Sequence, residues 1–144
     1  MSELTIEREF AASPETVFAF VTQSEHLVKW WGPESMTLPE HALDLTREGP
    51  WSSVMMTAEG NRFKVTGMVT KVSPPNAVEF TWAWCDENEV RGHESRVRFT
   101  VEPNGSGGSR FTLHHTGLAD DESANSHNEG WTSSLCKLER MAAS

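Results

Sequence analysis

The sequence predicts an α+β domain in which a curved antiparallel sheet of about seven strands is covered by one long C-terminal helix. Three observations predict it. Apolar residues alternate with polar ones in run after run between Leu38 and Thr116, which is the period of half-buried strands. Trp131, Leu135, Leu138 and Met141 instead recur at helical spacing and form a single stripe. Between the first strand and the rest of the sheet lies chemistry that starts and stops two short helices.

The first strand is Leu4 to Phe10, with Leu4, Ile6 and Phe10 on one face and Arg8 falling on that apolar face. Ser13, Pro14 and Glu15 then begin a helix: a side-chain oxygen caps free N–H groups, proline fits the first turn, and a carboxylate suits the positive helix end. Val17, Phe18, Phe20 and Val21 form its apolar stripe. Ser24 and Glu25 open a second helix that carries Leu27, Val28, Trp30 and Trp31 and stops at Gly32-Pro33. Because Trp30 and Trp31 are adjacent, one is expected to pack inward and the other to guard an entrance or lie on the surface.

The remaining strands are read from alternation and turn chemistry. Leu43 and Leu45 alternate with Asp44, Gly49-Pro50 turns the chain into Trp51 to Ala58, and Glu59-Gly60-Asn61-Arg62 reads as a tight hairpin turn. Phe63, Val65, Gly67 and Val69 lead to Pro74-Pro75. Val78, Phe80, Trp82 and Trp84 form the next inward face, followed by an acidic loop over 86–92. Val97, Phe99 and Val101 precede a Gly/Ser-rich connection, after which Phe111, Leu113 and His115 share a face. Ser126 and Glu129 have capping-box spacing and place the start of the last helix near His127, with 120–125 as a polar lead-in. A helix of about 16 residues would run ~24 Å. No internal repeat or domain boundary is found, so residues 1–144 are expected to form one domain.

Composition excludes several classes of function. With 37% hydrophobic and 23% charged residues, the chain is neither collagen-like, coiled coil nor disordered. Twelve Lys and Arg against 21 Asp and Glu give a net charge of −9, which disfavours nucleic acid and anionic membrane surfaces as partners. The absence of a secretory pattern or a long apolar run makes a cytoplasmic location the expectation. Cys85 and Cys136 then read as reduced, packed thiols, and Asn104-Gly105-Ser106 as a turn.

A resemblance is carried by the stretch from Arg8 to Phe18, by His26-Leu27, Lys29-Trp30-Trp31-Gly32-Pro33, the turn over 44–49, Gly67, Ser73-Pro74-Pro75, Phe80-Thr81-Trp82, and Gly130-Trp131 with Leu135 and Leu138. These positions resemble the activator-of-Hsp-ATPase homologues (AHSA family) of the START-like or SRPBCC superfamily. Pro50 departs from the pattern, in which a second glycine often stands. The resemblance implies the helix-grip fold, a long helix held by a curved seven-stranded sheet. It implies function less directly, because the superfamily includes lipid carriers, hormone-binding proteins, aromatic-ring cyclases and ATPase activators.

A strongly bent sheet diverges from a straight helix, and the wedge between them stays open unless large side chains fill it. The candidate lining is Trp30, Met55, Phe80, Trp82, Trp84, Phe99, Leu113, His115, Trp131 and Leu135, with Arg8 as a possible polar anchor for a ligand carboxylate. Each has a plainer reading. Six Trp without a Tyr can simply fill a core, a buried His115 can be a satisfied core residue, and Arg8 can be paired with a neighbouring carboxylate. Met55 and Met56 are adjacent, so one of them faces inward, where a flexible thioether accepts more than one ligand shape. Glu79, Arg96 and Arg98 fall on the polar strand face and are expected to be solvated.

Metal and cofactor sites are not expected. His114 and His115 face opposite sides of a strand, and His26, His41, His93 and His127 have no ligand spacing. Neither a nucleophile elbow, a papain-like cysteine nor a phosphate-binding glycine loop occurs. The favoured reading is therefore a non-enzymatic module enclosing a small hydrophobic or amphipathic ligand. Two alternatives stay open: a stress-related partner of a heat-shock ATPase, and a cyclase- or hydrolase-like enzyme using His115 with Arg8 or Glu79. The sequence leaves monomer and homodimer equally open.

Overall fold

The computed structural model describes residues 2–143. The chain runs β1 (Ser2–Phe10), α1 (Pro14–Thr22), α2 (Ser24–Trp30), β2 (Thr37–Ala42), β3 (Gly49–Met56), β4 (Arg62–Ser73), β5 (Ala77–Cys85), β6 (Arg91–Pro103), β7 (Ser109–Leu118) and α3 (Asp121–Ala143). The strands form one seven-stranded sheet in the order β1-β7-β6-β5-β4-β3-β2, antiparallel throughout. From β2 to β7 the sheet is a meander, and β1 closes its far side by pairing Ile6 with Leu113 and Arg8 with Phe111. This is the predicted helix-grip arrangement.

Local chemistry accounts for the first helices. The Ser13 hydroxyl accepts a hydrogen bond from the Thr16 N–H at 3.3 Å, and Pro14 occupies the first turn. α2 ends as Trp31 leaves helical geometry (φ −66°, ψ 130°), and Gly32 follows at φ +88°, a left-handed conformation that favours glycine. That break in the backbone buries both tryptophans, with Trp30 0% and Trp31 3% exposed. Trp30 packs inward as expected, and of the two roles left for its neighbour the surface one is corrected: Trp31 stands in a different backbone conformation and so is not confined to the opposite helical face.

Two boundaries also differ from expectation. Leu43 and Leu45 are buried but stand in the loop after β2, where the Leu45 N–H donates to the Thr22 carbonyl at 2.9 Å. They are loop anchors, and their alternation mimics a strand. α3 begins at Asp121 and has 23 residues, a length of about 35 Å, because Asp120 caps it by accepting from the Ser123 N–H at 2.8 Å. The segment 120–125 is thus mostly helix, and a cap six residues earlier wins over the Ser126 and Glu129 pattern.

The buried face of the sheet is built by Phe80 and Trp82 on β5, Val97 and Phe99 on β6, and Phe111, Leu113 and His115 on β7. α3 packs along β1, β7 and α2, while α1 lies on β6 and β7. On the opposite face, Glu79 pairs with Arg98 at 3.3 Å directly across the ladder; the expected solvated carboxylate has a cross-strand partner. Among the described residues no helix is long and apolar enough to cross a membrane.

Candidate functional site

All six tryptophans join one continuous set of ring contacts. Trp31 lies at its centre, with ring centroids 5.5 Å from Trp51, 5.9 Å from Trp82, 5.7 Å from Trp131 and 6.0 Å from Trp30. Trp84 joins through Trp82 at 5.6 Å. Several pairs are edge-to-face, the arrangement the ring quadrupoles prefer. Trp51 enters this set because Gly67 opposite it has no side chain: a Cβ there would lie 2.6 Å from Trp51 Nε1 and 1.9 Å from the Thr81 carbonyl oxygen. That carbonyl instead accepts the Trp51 indole N–H at 3.1 Å, and the Thr81 hydroxyl accepts the Met68 N–H at 2.8 Å in place of a ladder bond.

On one side of this cluster the packing stops short, leaving a cavity of about 300 Å³. The connection after α2 contributes Trp31, Gly32, Pro33 and Met36, the sheet contributes Met55, Phe63, Trp82 and Trp84, and α3 contributes Ser126, His127, Gly130, Trp131 and Ser134. Phe63 is 43% exposed and Ser126 is exposed, so these two mark the rim. No Asp, Glu, Lys or Arg lines the cavity.

Two histidines stand at the α3 side, and hydrogen bonding sets their tautomers. The Trp131 indole N–H donates to His115 Nδ1 at 3.1 Å, so His115 Nε2 carries the proton and donates to the Ser95 hydroxyl at 2.7 Å. Ser95 in turn donates to the Trp82 carbonyl at 3.3 Å. His127 is the mirror case: Nδ1 donates to the Ser123 carbonyl at 2.7 Å, which leaves Nε2 to accept the Trp84 indole N–H at 2.9 Å. The rings of His115 and His127 are 5.0 Å apart and edge to face. Burial, with smaller contributions from His127 and His114, pushes the His115 pKa down to about 3, so its imidazole is neutral at physiological pH. Among the described residues no three His, Cys, Asp or Glu side chains gather as metal ligands.

Of the residues singled out from the sequence, Met55, Trp82, Trp84 and Trp131 line the cavity. Trp30, Phe80, Phe99, Leu113 and Leu135 are fully buried in the core beside it, and the Trp30 indole donates to the Phe20 carbonyl at 2.9 Å. His115 has no exposure and sits behind the wall made by Trp131 and His127. Arg8 lies at the β1 edge, paired with Glu139 of α3 at 3.3 Å. Neither it nor Glu79 stands near His115's ring nitrogens, both of which are already bonded. Sequence reasoning offered Trp31 only as one of two candidates to guard an entrance, and missed Met36, Phe63, Ser126, His127, Gly130 and Ser134. A signal for the helical ones existed: positions 127, 130, 131 and 134 fall on one face of α3, whether it starts at His127 or at Asp121.

The model of the family described as activator of Hsp90 ATPase homolog 1-like protein matches residues 11–143. Among solved structures, an AHSA1 protein from Silicibacter pomeroyi is 51% identical, with a TM-score of 0.94 over 99% of this chain and 98% of that chain. A protein from Chromobacterium violaceum is 19% identical with a TM-score of 0.83, covering 98% of this chain and 97% of its own. One from Mycobacterium smegmatis is 24% identical with a TM-score of 0.80, covering 96% and 89% respectively. At the last two identities the likeness is one of fold alone. Among proteins with curated descriptions, none matches this sequence.

Proposed function

This chain belongs to the family of activator of Hsp90 ATPase homolog 1-like proteins, and from that premise we propose that it is a binding module for a small, mainly hydrophobic molecule held between the sheet and α3. The observation that carries the reading is the cavity itself: about 300 Å³ of space walled by four indoles and two thioethers, with no charged side chain. A globular core of this size ordinarily packs such large rings against one another, since interiors are filled to crystal-like density. Space of that volume fits one bicyclic ring system or a short branched chain. Burying roughly 200 Å² of such a ligand at about 25 cal/mol per Å² supplies about 5 kcal/mol of gross driving force, to which the apolar wall it covers adds and from which the entropy of association subtracts.

The chemistry of the wall favours binding over catalysis. Its one imidazole, His127, has both nitrogens engaged, and its other polar side chains are serine hydroxyls, of which Ser134 donates to the Gly130 carbonyl at 3.0 Å. Native mass spectrometry of gently extracted protein, together with tryptophan-quenching titrations against aromatic and aliphatic metabolites, tests the reading. A co-purifying mass or saturable quenching below millimolar concentration is expected. Absence of both would overturn it.

A further inference from the structure

Each of the six indole N–H groups needs an acceptor once it is buried, and five have one. Trp30 donates to the Phe20 carbonyl, Trp31 to the Ser53 hydroxyl at 3.0 Å, Trp51 to the Thr81 carbonyl, Trp84 to His127 and Trp131 to His115. The sixth, Trp82 Nε1–H, is buried without a partner among the described residues, on a side chain only 5% exposed that forms part of the cavity wall. An unpaired buried donor is costly, and native proteins leave few of them. The other buried donors of the wall are committed, the indoles of Trp31, Trp84 and Trp131, the Nδ1–H of His127 and the Ser134 hydroxyl, while the Ser126 hydroxyl stands exposed at the rim.

We propose that the Trp82 N–H is the polar anchor of the cavity, and that the ligand is a neutral molecule, apolar over nearly all its surface, carrying one hydrogen-bond acceptor of the ketone or ether kind. This deepens the ligand-binding reading and rests on it. Nε1 itself is shut from solvent, so the indole must turn until this atom faces the cavity, where a ligand acceptor meets a donor with no bond to give up. A carboxylate is disfavoured on three counts. The wall holds no cation; Arg8, the basic side chain that could have met one, is tied to Glu139 at 3.3 Å outside the cavity; and a chain of net charge −9 repels anions at long range.

Three bicyclic probes of nearly equal shape separate the possibilities: tetralin, its ketone 1-tetralone, and 1,2,3,4-tetrahydro-1-naphthoate. Affinities from calorimetry are paired with proton–nitrogen spectra of the indole region of the wild-type protein, the Trp82 resonance being assigned with Trp82→Phe. The ketone is expected to bind about three- to tenfold more tightly than the hydrocarbon, the range a single net hydrogen bond provides. The anion should bind more weakly than either, and the Trp82 N–H resonance should move downfield with the ketone alone. In Trp82→Phe the ketone and the hydrocarbon should bind equally. Equal binding of ketone and hydrocarbon to the wild type with an unmoved Trp82 resonance, or an anion binding as tightly as the ketone, overturns the anchor and leaves the ligand site standing. If none of the three binds below millimolar and no mass co-purifies, the ligand site fails and the anchor with it.

Discussion

The two halves of the sheet are covered in different ways. Over β1, β7 and β6 the helices α3 and α1 lie directly on the strands, and Phe99 sits within 5.3 Å, centroid to centroid, of Phe80 and Phe111. Over β3, β4 and β5 the α3 backbone stands off, and the space is spanned by the indoles of Trp31, Trp82 and Trp131 with a void beside them. The same kinds of side chain thus make a sealed core on one side and a cavity wall on the other. The difference lies in distance: where backbone layers approach, medium-sized rings fill the gap, and where a bent sheet curves away, even tryptophans leave space. The two histidines mark the boundary. Each accepts an indole N–H, but His115 is sealed behind the wall and His127 is part of it.

Substitutions in the two halves should differ accordingly. Phe99→Ala in the sealed half is expected to destabilise by about 3–5 kcal/mol, measured by urea unfolding, because it opens a new void. Met55→Ala in the wall already borders empty space and should cost about 1–2 kcal/mol, below the usual range for a buried methionine. Equal costs would erase the distinction between the halves.

A second effect, somewhat smaller, is read in pH. With an ordinary pKa of 6.5 in the unfolded chain and one near 3 when folded, His115 takes up its proton first in the unfolded state as pH falls. Stability is therefore fully present above pH 6.5 and is lost below it, by about 3 kcal/mol at pH 4.5 at 1.36 kcal/mol per unit. The carboxylates held below their ordinary values, Glu9, Asp44 and Glu89, lose their contributions only as pH falls below about 4.5, so they add nothing to the slope above it. His115→Gln should flatten that window; an unchanged slope would mean that this imidazole is not shut away from protons.

The smallest effect on stability is the most telling for the cavity. A Cβ on Gly130 would meet its nearest neighbour, a Pro33 carbon, at an ordinary 3.9 Å, so Gly130→Leu has room to grow a side chain into the cavity mouth. Replacing glycine inside a helix should raise stability by up to about 1 kcal/mol. Ligand affinity should nevertheless fall tenfold or more in quenching titrations. A variant that is more stable and binds undiminished would show that the ligand lies elsewhere.

Much of the sheet is legible because strand alternation is a local property: Val78 to Trp84 and Phe111 to His115 announce their inward faces whatever lies above them. The cap at Asp120 is equally local, yet it competes with Ser126 and Glu129 for the same helix, and a one-dimensional pattern does not rank them. Leu43 and Leu45 show the converse, an alternation without a ladder, since burial against the end of α1 rewards the same spacing that pairing would. Within the candidate lining, alternation names Trp82 and Trp84 together with Phe80 and Phe99, because it reports which side of the sheet a residue faces and nothing about what stands opposite.

In the sequence by itself, spacings within a few residues announce the class of fold, the run of consecutive hairpins, the inward faces and an aromatic interior, whereas the pairing of β1 with β7 is a long-range outcome. Only the tertiary structure decided where that interior is solid and where it is hollow, which tryptophans found acceptors, and that Arg8 faces Glu139 and not a ligand. Those outcomes depend on the distance between a curving sheet and a straight helix, a quantity set by the whole chain and written in no single segment of it.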